Sequence, residues 1–299
     1  MTGVPERVRP ILVAAARGEL PPRIALMQLA METTDAGQLA AVLRAGGEIG
    51  QTEEERARLA ELAVLAERNP QTWNTVKSVI EAIAHGAAAT SDPAEHVQAL
   101  AAMFDRAASA SPEASVALYS LGDAQELARS ADEVSLYLAR AGIVAPDRSV
   151  LEIGCGIGRF LVSLAPRVRE MVGIDISPVM IAEARHRIAG LRNARATLTT
   201  GLDLAEFVDN SFDAVLAIDS FPYVVDAGGA LPERMFAEAS RVLRPGGDFV
   251  VCNFSYRGDP DRDRRDAEAF GDAAGLVLRL GGEQPFTLWD GTVFWLSKA

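Results

Sequence analysis

Apolar residues in the first third of the chain recur at helical spacing. Leu59, Leu62, Ala63 and Ala66 share one face, and so do Val76, Val79, Ile80 and Ile83. The intervening positions are rich in Ala, Leu, Glu and Arg, residues that lose little on entering a helix. Start signals punctuate the run. Thr52 with Glu55 reads as a capping box. Asp92-Pro93-Ala94-Glu95 places an N-cap, a first-turn proline and an N3 acid in order, and Ser111-Pro112-Glu113 repeats the theme. This pattern predicts a bundle-like region of five or six helices over residues 1–110. A further helix from near Asp123, with Leu127, Ala131, Val134 and Leu138 on one face, ends at Gly142.

The spacing then changes. Short apolar runs at Ser149–Ile153, Glu170–Ile174, Ala196–Thr200, Phe212–Ile218 and Asp248–Phe254 read as strands. Between them come helical patterns at Phe160–Ala165, Pro178–Ala189, Leu202–Phe207 and Leu231–Leu243. Strands alternating with helices imply a parallel α/β sheet. Two more runs, Gly275–Leu280 and Thr292–Leu296, predict a closing pair whose last strand is antiparallel. The expectation is a seven-stranded α/β domain over residues 111–299 behind the helical N-terminal region.

Composition narrows the class. The 299 residues are 49% hydrophobic with a net charge of −12, enough apolar material for a sizeable core and the wrong sign for gripping phosphate backbones. Nucleic acid is therefore not expected as a partner. The arginines of Arg257–Asp266 alternate with acids, which reads as a solvated face. Cys155 and Cys252 form no metal or redox motif, and no metal-ligand spacing occurs. His85, His96 and His186 read as structural or solvated. No signal peptide and no membrane-length apolar stretch stand out, so a cytoplasmic protein with no membrane partner is expected.

The chemistry concentrates at Val150-Leu-Glu-Ile-Gly154-Cys-Gly156-Ile-Gly158, a buried strand running into a glycine-rich turn and then a helix. Glycines there let backbone approach a ligand, and in an open α/β sheet this turn lies at the carboxyl end of the first strand, where ligands bind. A dinucleotide turn wants its third glycine at 159, where this chain has Arg159, which disfavours a nicotinamide cofactor. About 20 residues further on, the second strand ends in Asp175, in position to accept both hydroxyls of an adenosine ribose. Ser177-Pro178 opens the next helix.

Four motifs in order resemble those of the class I S-adenosylmethionine (SAM)-dependent methyltransferases: Glu152 to Gly158, Asp175, the turn before Asp209-Asn-Ser-Phe-Asp213, and Arg241-Val-Leu-Arg-Pro-Gly-Gly247. The resemblance covers residues 115 to 299 and implies a Rossmann-like methyltransferase domain that binds SAM. By position it implies that Gly154, Cys155 and Gly156 present backbone to the methionine end, with Glu152 beneath the ammonium group. It implies that Asp175 holds the ribose, that Ile176 packs on the adenine, and that Asp203 and the Leu204 amide meet the adenine edge. Family members often place that acid directly after the glycine, where this chain has Leu202.

In such enzymes the end of the fourth strand borders the methyl group and the acceptor, so Asp219 and Tyr223 are the candidate catalytic residues, Asp219 also touching the cofactor. Asn253, Phe254 and Tyr256 face the same rim. The expected function is methyl transfer to an oxygen or nitrogen of a small molecule, with the N-terminal helices either covering the acceptor or building a homodimer. Two alternatives stand beside it: a SAM-binding or interaction module without catalysis, and a nicotinamide-dependent oxidoreductase.

Overall fold

The computed structural model describes residues 4–84 and 92–299; the expectation for His85 falls outside them. The described residues form two compact units, each considered by itself.

In the first unit, helices α1 (Arg9–Arg17), α2 (Pro22–Glu32), α3 (Ala36–Gly46), α4 (Glu53–Arg68) and α5 (Thr72–Ala84) surround a core that includes Leu12, Leu26, Leu29, Leu62 and Val76. The Thr52 capping box forms as its sequence predicts: Thr52 Oγ1 accepts from the Glu55 amide, and Glu55 reaches back to the Thr52 amide. Asp35, which sequence reading passed over, caps α3 through the Gln38 amide at 2.8 Å. Helix α6 (Pro93–Ala110) starts with the Asp92 cap on the Ala94 amide, and its residues as far as Asp105 belong to the second unit. Helix α7 (Pro112–Val116) begins at the predicted proline, yet Ser111 makes no side-chain capping bond. Helix α8 (Ala124–Arg140) follows, and Arg23 joins its start, bonding the Ser120 carbonyl, Asp123 and Glu126.

The second unit is built on one seven-stranded sheet of order β3-β2-β1-β4-β5-β7-β6. The strands are β1 (Ser149–Ile153), β2 (Glu170–Asp175), β3 (Ala194–Leu198), β4 (Phe212–Ile218), β5 (Leu243–Cys252), β6 (Leu276–Glu283) and β7 (Val293–Lys298). The first five are mutually parallel, and β7 runs antiparallel to both β5 and β6, as the closing hydrophobic runs predict. Strand order reverses between β1 and β4. Right-handed crossovers leaving that seam in opposite directions put their helices on opposite faces and open a crevice at the strand ends. Helices α9 (Arg159–Leu164) and α10 (Pro178–Arg187) pack at β2 and β3, α12 (Leu231–Val242) packs at β5, and α13 (Pro260–Ala274) packs at β6 and β7. Phe221, Phe236, Phe249, Phe254 and Phe294 fill the core on one side with edge-to-face and tilted contacts.

Several expected elements change. The pattern at Leu202–Phe207 is a turn rather than a helix. Two of its carbonyls, those of Leu204 and Phe207, accept from the Arg241 guanidinium, which gives them a partner outside any helical ladder. Strand β3 starts two residues before its predicted position. Strand β5 starts at Leu243 because the Arg244-Pro-Gly-Gly247 segment continues it through a register shift against β4. Helix α11 (Phe221–Ala227) and α13 were not expected. The first is short; the second was hidden by the alternating charges of 257–266, which run into its first turns, where Asp263 is buried and paired with Arg257.

Candidate cofactor and acceptor site

The glycine turn is built by its neighbours. Gly154, Gly156 and Gly158 all adopt left-handed backbone, with φ of 72°, 52° and 81°. At Gly154 a side chain is excluded twice over, because an added Cβ would sit 2.3 Å from the Ser220 Cβ. Ser220 in turn donates its hydroxyl to the Ile153 carbonyl at 2.6 Å, which locks the end of β4 against the end of β1. The Gly154 and Cys155 amides donate to the Ile174 carbonyl at 2.8 and 2.9 Å, which fixes the turn against β2.

Asp175 joins this turn directly. Its Oδ2 accepts from the Gly156 amide at 2.8 Å and its Oδ1 from the Ser177 amide at 2.9 Å, and the residue is 8% exposed. Burial raises its pKa, while the amides of Ser177, Gly156 and Ile176 act the other way. A carboxylate has about four acceptor sites, so these amides leave capacity for further donors. Glu152 is 1% exposed, and its Oε2 has no hydrogen-bond partner among the described residues. Burial pushes its pKa up to about 8; Arg159 opposes this and the Asp175 charge adds to it. A buried carboxylate oxygen without a donor costs free energy until a cation or donor arrives. The Cys155 thiol is buried beside the two acids, and burial first, then their charges, hold it well above the ordinary thiol pKa. It is packing in this structure: its Cβ lies 2.7 Å from where a Cβ on Gly173 would be, so Gly173 makes its room.

The adenine-side expectations divide. Ile176 is half-buried and lies against Gly201, where a Cβ would meet its Cγ2 at 2.5 Å and Val97 at 3.1 Å. Asp203 is partly exposed, and its Oδ1 accepts from the Ala205 amide at 3.2 Å, a local turn bond. Leu204 has another partner in this structure. Its amide, expected to meet the adenine edge, donates to Glu238 Oε2 at 3.0 Å, and its side chain is wholly buried in the core. The cause is Arg241, which gathers Glu238, Asp209 and the carbonyls of Leu204 and Phe207 and so ties the turn after β3 to α12.

On the acceptor side, the structure joins Asp219 to residues from the next strand. Asp219 and Asn253 end β4 and β5, and both are left-handed with φ of 62°. This turns their side chains toward each other: Asn253 Nδ2 donates to Asp219 Oδ1 at 2.8 Å, while Asn253 Oδ1 accepts from the Thr292 amide. The Tyr256 hydroxyl donates to the same Asp219 oxygen at 2.7 Å and hydrogen-bonds with Tyr223. Much of the Tyr256 ring is exposed, but withdrawal of its hydroxyl end from water and the Asp219 charge raise its pKa. Tyr223 is raised by burial and by the same carboxylate. Both phenols therefore stay protonated across the physiological range. Tyr223 also packs edge-to-face on Phe104 of α6, with ring centroids 4.9 Å apart. The sequence places Asn253, Phe254 and Tyr256 on this rim without showing the shared carboxylate; Phe254 is instead wholly buried in the core, and for Phe104 no local signal exists, because it lies 119 positions upstream in another element.

His96 Nε2 lies 3.2 Å from Asp226 Oδ2. Among the described residues no group of three or more His, Cys, Asp or Glu is arranged to hold a metal ion, and no helix is long and apolar enough to cross a membrane.

Residues 151–251 match a family model described as a methyltransferase domain. Among curated proteins, the demethylmenaquinone methyltransferase of Tropheryma whipplei (strain Twist) is 36% identical over 162 residues, covering 54% of this chain and 62% of that protein. A sterol 4-C-methyltransferase of Caenorhabditis elegans is 25% identical over 146 residues, covering 48% and 42%. The chain thus spans less than two thirds of the length of these relatives. Among solved structures, Haemonchus contortus phosphoethanolamine N-methyltransferase 1, in complex with phosphoethanolamine and S-adenosylhomocysteine, superposes with a TM-score of 0.53 at 16% identity, over 69% of this chain and 48% of that one. In its sheet order, its glycine turn and these matches, the chain is similar to the class I SAM-dependent methyltransferases, with the methyltransferase domain matched over residues 151–251.

Proposed function

We propose that this protein transfers the methyl group of SAM to an oxygen or nitrogen of a small molecule held at the ends of β4 and β5. The single observation that carries the cofactor's placement is the buried, unpartnered Glu152 oxygen under the glycine turn. That oxygen fits an ammonium group, which the methionine end of SAM supplies. Glu152 neutralises that charge, the Gly154–Gly156 backbone lies along the methionine moiety, and Asp175 accepts from the ribose hydroxyls. Ile176 borders the adenine, with Asp203 near its edge.

SAM supplies a sulfonium-activated methyl group, so the protein's task is placement and exclusion of water. Asp219, held by Asn253 and Tyr256, presents a fixed carboxylate at the rim where the acceptor approaches. It can take a proton from an acceptor that must lose one. Tyr223 and Tyr256, kept as neutral phenols, pack against the acceptor, with the Tyr256 proton held on Asp219. Support for a small acceptor comes from the net charge of −12, which repels nucleic acid, and from relatives named for quinone and sterol methylation. The N-terminal helices are assigned a role in a homodimer, which sedimentation of the full chain at several concentrations would test.

Calorimetry with SAM, S-adenosylhomocysteine and NAD tests the cofactor assignment; NAD binding alone would overturn it. Asp175→Ala should weaken SAM binding by well over 1 kcal/mol, the scale of one charge-assisted hydrogen bond. Release of S-adenosylhomocysteine with a panel of hydroxylated and amino compounds tests the transfer. Tight SAM binding with no turnover on any of them would favour a non-catalytic module.

A further inference from the structure

Helix α6 lies outside the stretch that matches the methyltransferase model, yet it reaches three points around the crevice from one face. Val97, Phe104 and Asp105 stand at i, i+7 and i+8, which a helix stacks on one side. Val97 lies against Gly201 beside Ile176, and Phe104 packs on Tyr223. Asp105 meets the start of α10: its Oδ1 accepts from the Ser177 hydroxyl at 2.5 Å and from the Val179 amide at 3.2 Å.

These contacts form a chain of command. Ser177 Oγ is used on both sides, donating to Asp105 and accepting from the Met180 amide at 3.0 Å. The Ser177 backbone amide then holds Asp175 Oδ1. Ser177 is wholly buried, and Asp105 is the acceptor of its hydroxyl.

We propose that Asp105 is a positioning residue for the cofactor's ribose, acting through Ser177 to set the orientation of Asp175, and that α6 is thereby part of the SAM site. This rests on the reading of Asp175 as the ribose acid. Asp105 takes one first-turn amide of α10 while Ser177 takes another, and together they fix the residue whose amide aims the Asp175 carboxylate. Without Asp105 the turn keeps its shape from Gly156 and Met180 but loses the anchor that sets the angle of Asp175 to the sugar.

Binding of S-adenosylhomocysteine and of its 2′,3′-dideoxy analogue, measured by calorimetry on the full chain, tests this. The unsubstituted protein should prefer the ligand with hydroxyls, and Asp175→Ala should erase that preference. Asp105→Ala should weaken S-adenosylhomocysteine by about tenfold, the worth of one good hydrogen bond, and leave the analogue within about twofold. Asp105→Asn, which keeps an acceptor oxygen for Ser177 and Val179, should restore most of the affinity. A purely structural cap would lower the melting temperature and weaken both ligands alike, which overturns the proposal. So would unchanged discrimination in Asp105→Ala. If the unsubstituted protein shows no preference, or Asp175→Ala retains it, the ribose reading itself falls. Should Asp105→Ala not fold, Asp105→Ser, too short to reach Ser177, makes the same comparison.

Discussion

Replacing Glu152 by Gln should make the ligand-free protein more stable and its cofactor binding weaker, and the gap should depend on pH. The native carboxyl holds its proton up to about pH 8, whereas the ordinary value is 4.5. Between those limits the native state binds more protons than the unfolded one, so stability falls as pH rises. Each unit is worth about 1.4 kcal/mol, so at pH 7 the native protein carries a penalty on the order of 3 kcal/mol relative to pH 4.5. Gln keeps the shape and removes the titration. Urea unfolding from pH 5 to 8 should show the stability difference between Glu152→Gln and the unsubstituted protein growing in favour of the variant. An ammonium group beside Glu152 has the opposite effect, drawing the carboxyl into its charged form. S-adenosylhomocysteine should therefore release close to one proton per site at pH 7, read from calorimetric heats in phosphate and in Tris. The variant should release fewer and bind roughly tenfold or more weakly, as expected for loss of a charge-assisted contact. A stability difference that is flat across pH 5 to 8 would refute the reasoning, because the carboxyl would then not be titrating there.

Three further outcomes follow from the geometry. Gly154→Ala should lose about 2 kcal/mol or more of stability through its left-handed backbone and its clash with Ser220, and thermal melting should show it regaining only part of that when paired with Ser220→Gly. Arg241→Ala should destabilise by about 3 kcal/mol, because Glu238 loses its cation and two carbonyls lose their donor at once; chemical denaturation would measure it, and a change under 1 kcal/mol would mean the turn after β3 is held elsewhere. At Asp219, Gly should be tolerated better than Ala by about 1 kcal/mol in unfolding experiments, since only the backbone angle separates the two.

The sheet was legible because its strands are buried, and buried strands write themselves as apolar runs between glycine turns. The glycine turn and Asp175 were legible because both lie at fixed distances along one βαβ unit. The residues that escaped are those whose partners lie far along the chain. Leu204 reads as a contact residue until Glu238, 34 positions later, takes its amide. Asp105 carries no motif at all, and its meaning comes from Ser177, 72 positions away. Helix α13 was obscured for another reason: its surface turns are charged with both signs, which suppresses the apolar periodicity used to find a helix.

The paired left-handed residues at the tips of β4 and β5 restrict what this rim can become. Asp, Asn and Gly tolerate that backbone, while β-branched and bulky side chains do not. Lineages that change the acceptor therefore have few options at 219 and 253 themselves. Diversification would have to come from the neighbouring aromatic residues, Tyr223, Tyr256 and Phe104, none of which has left-handed backbone.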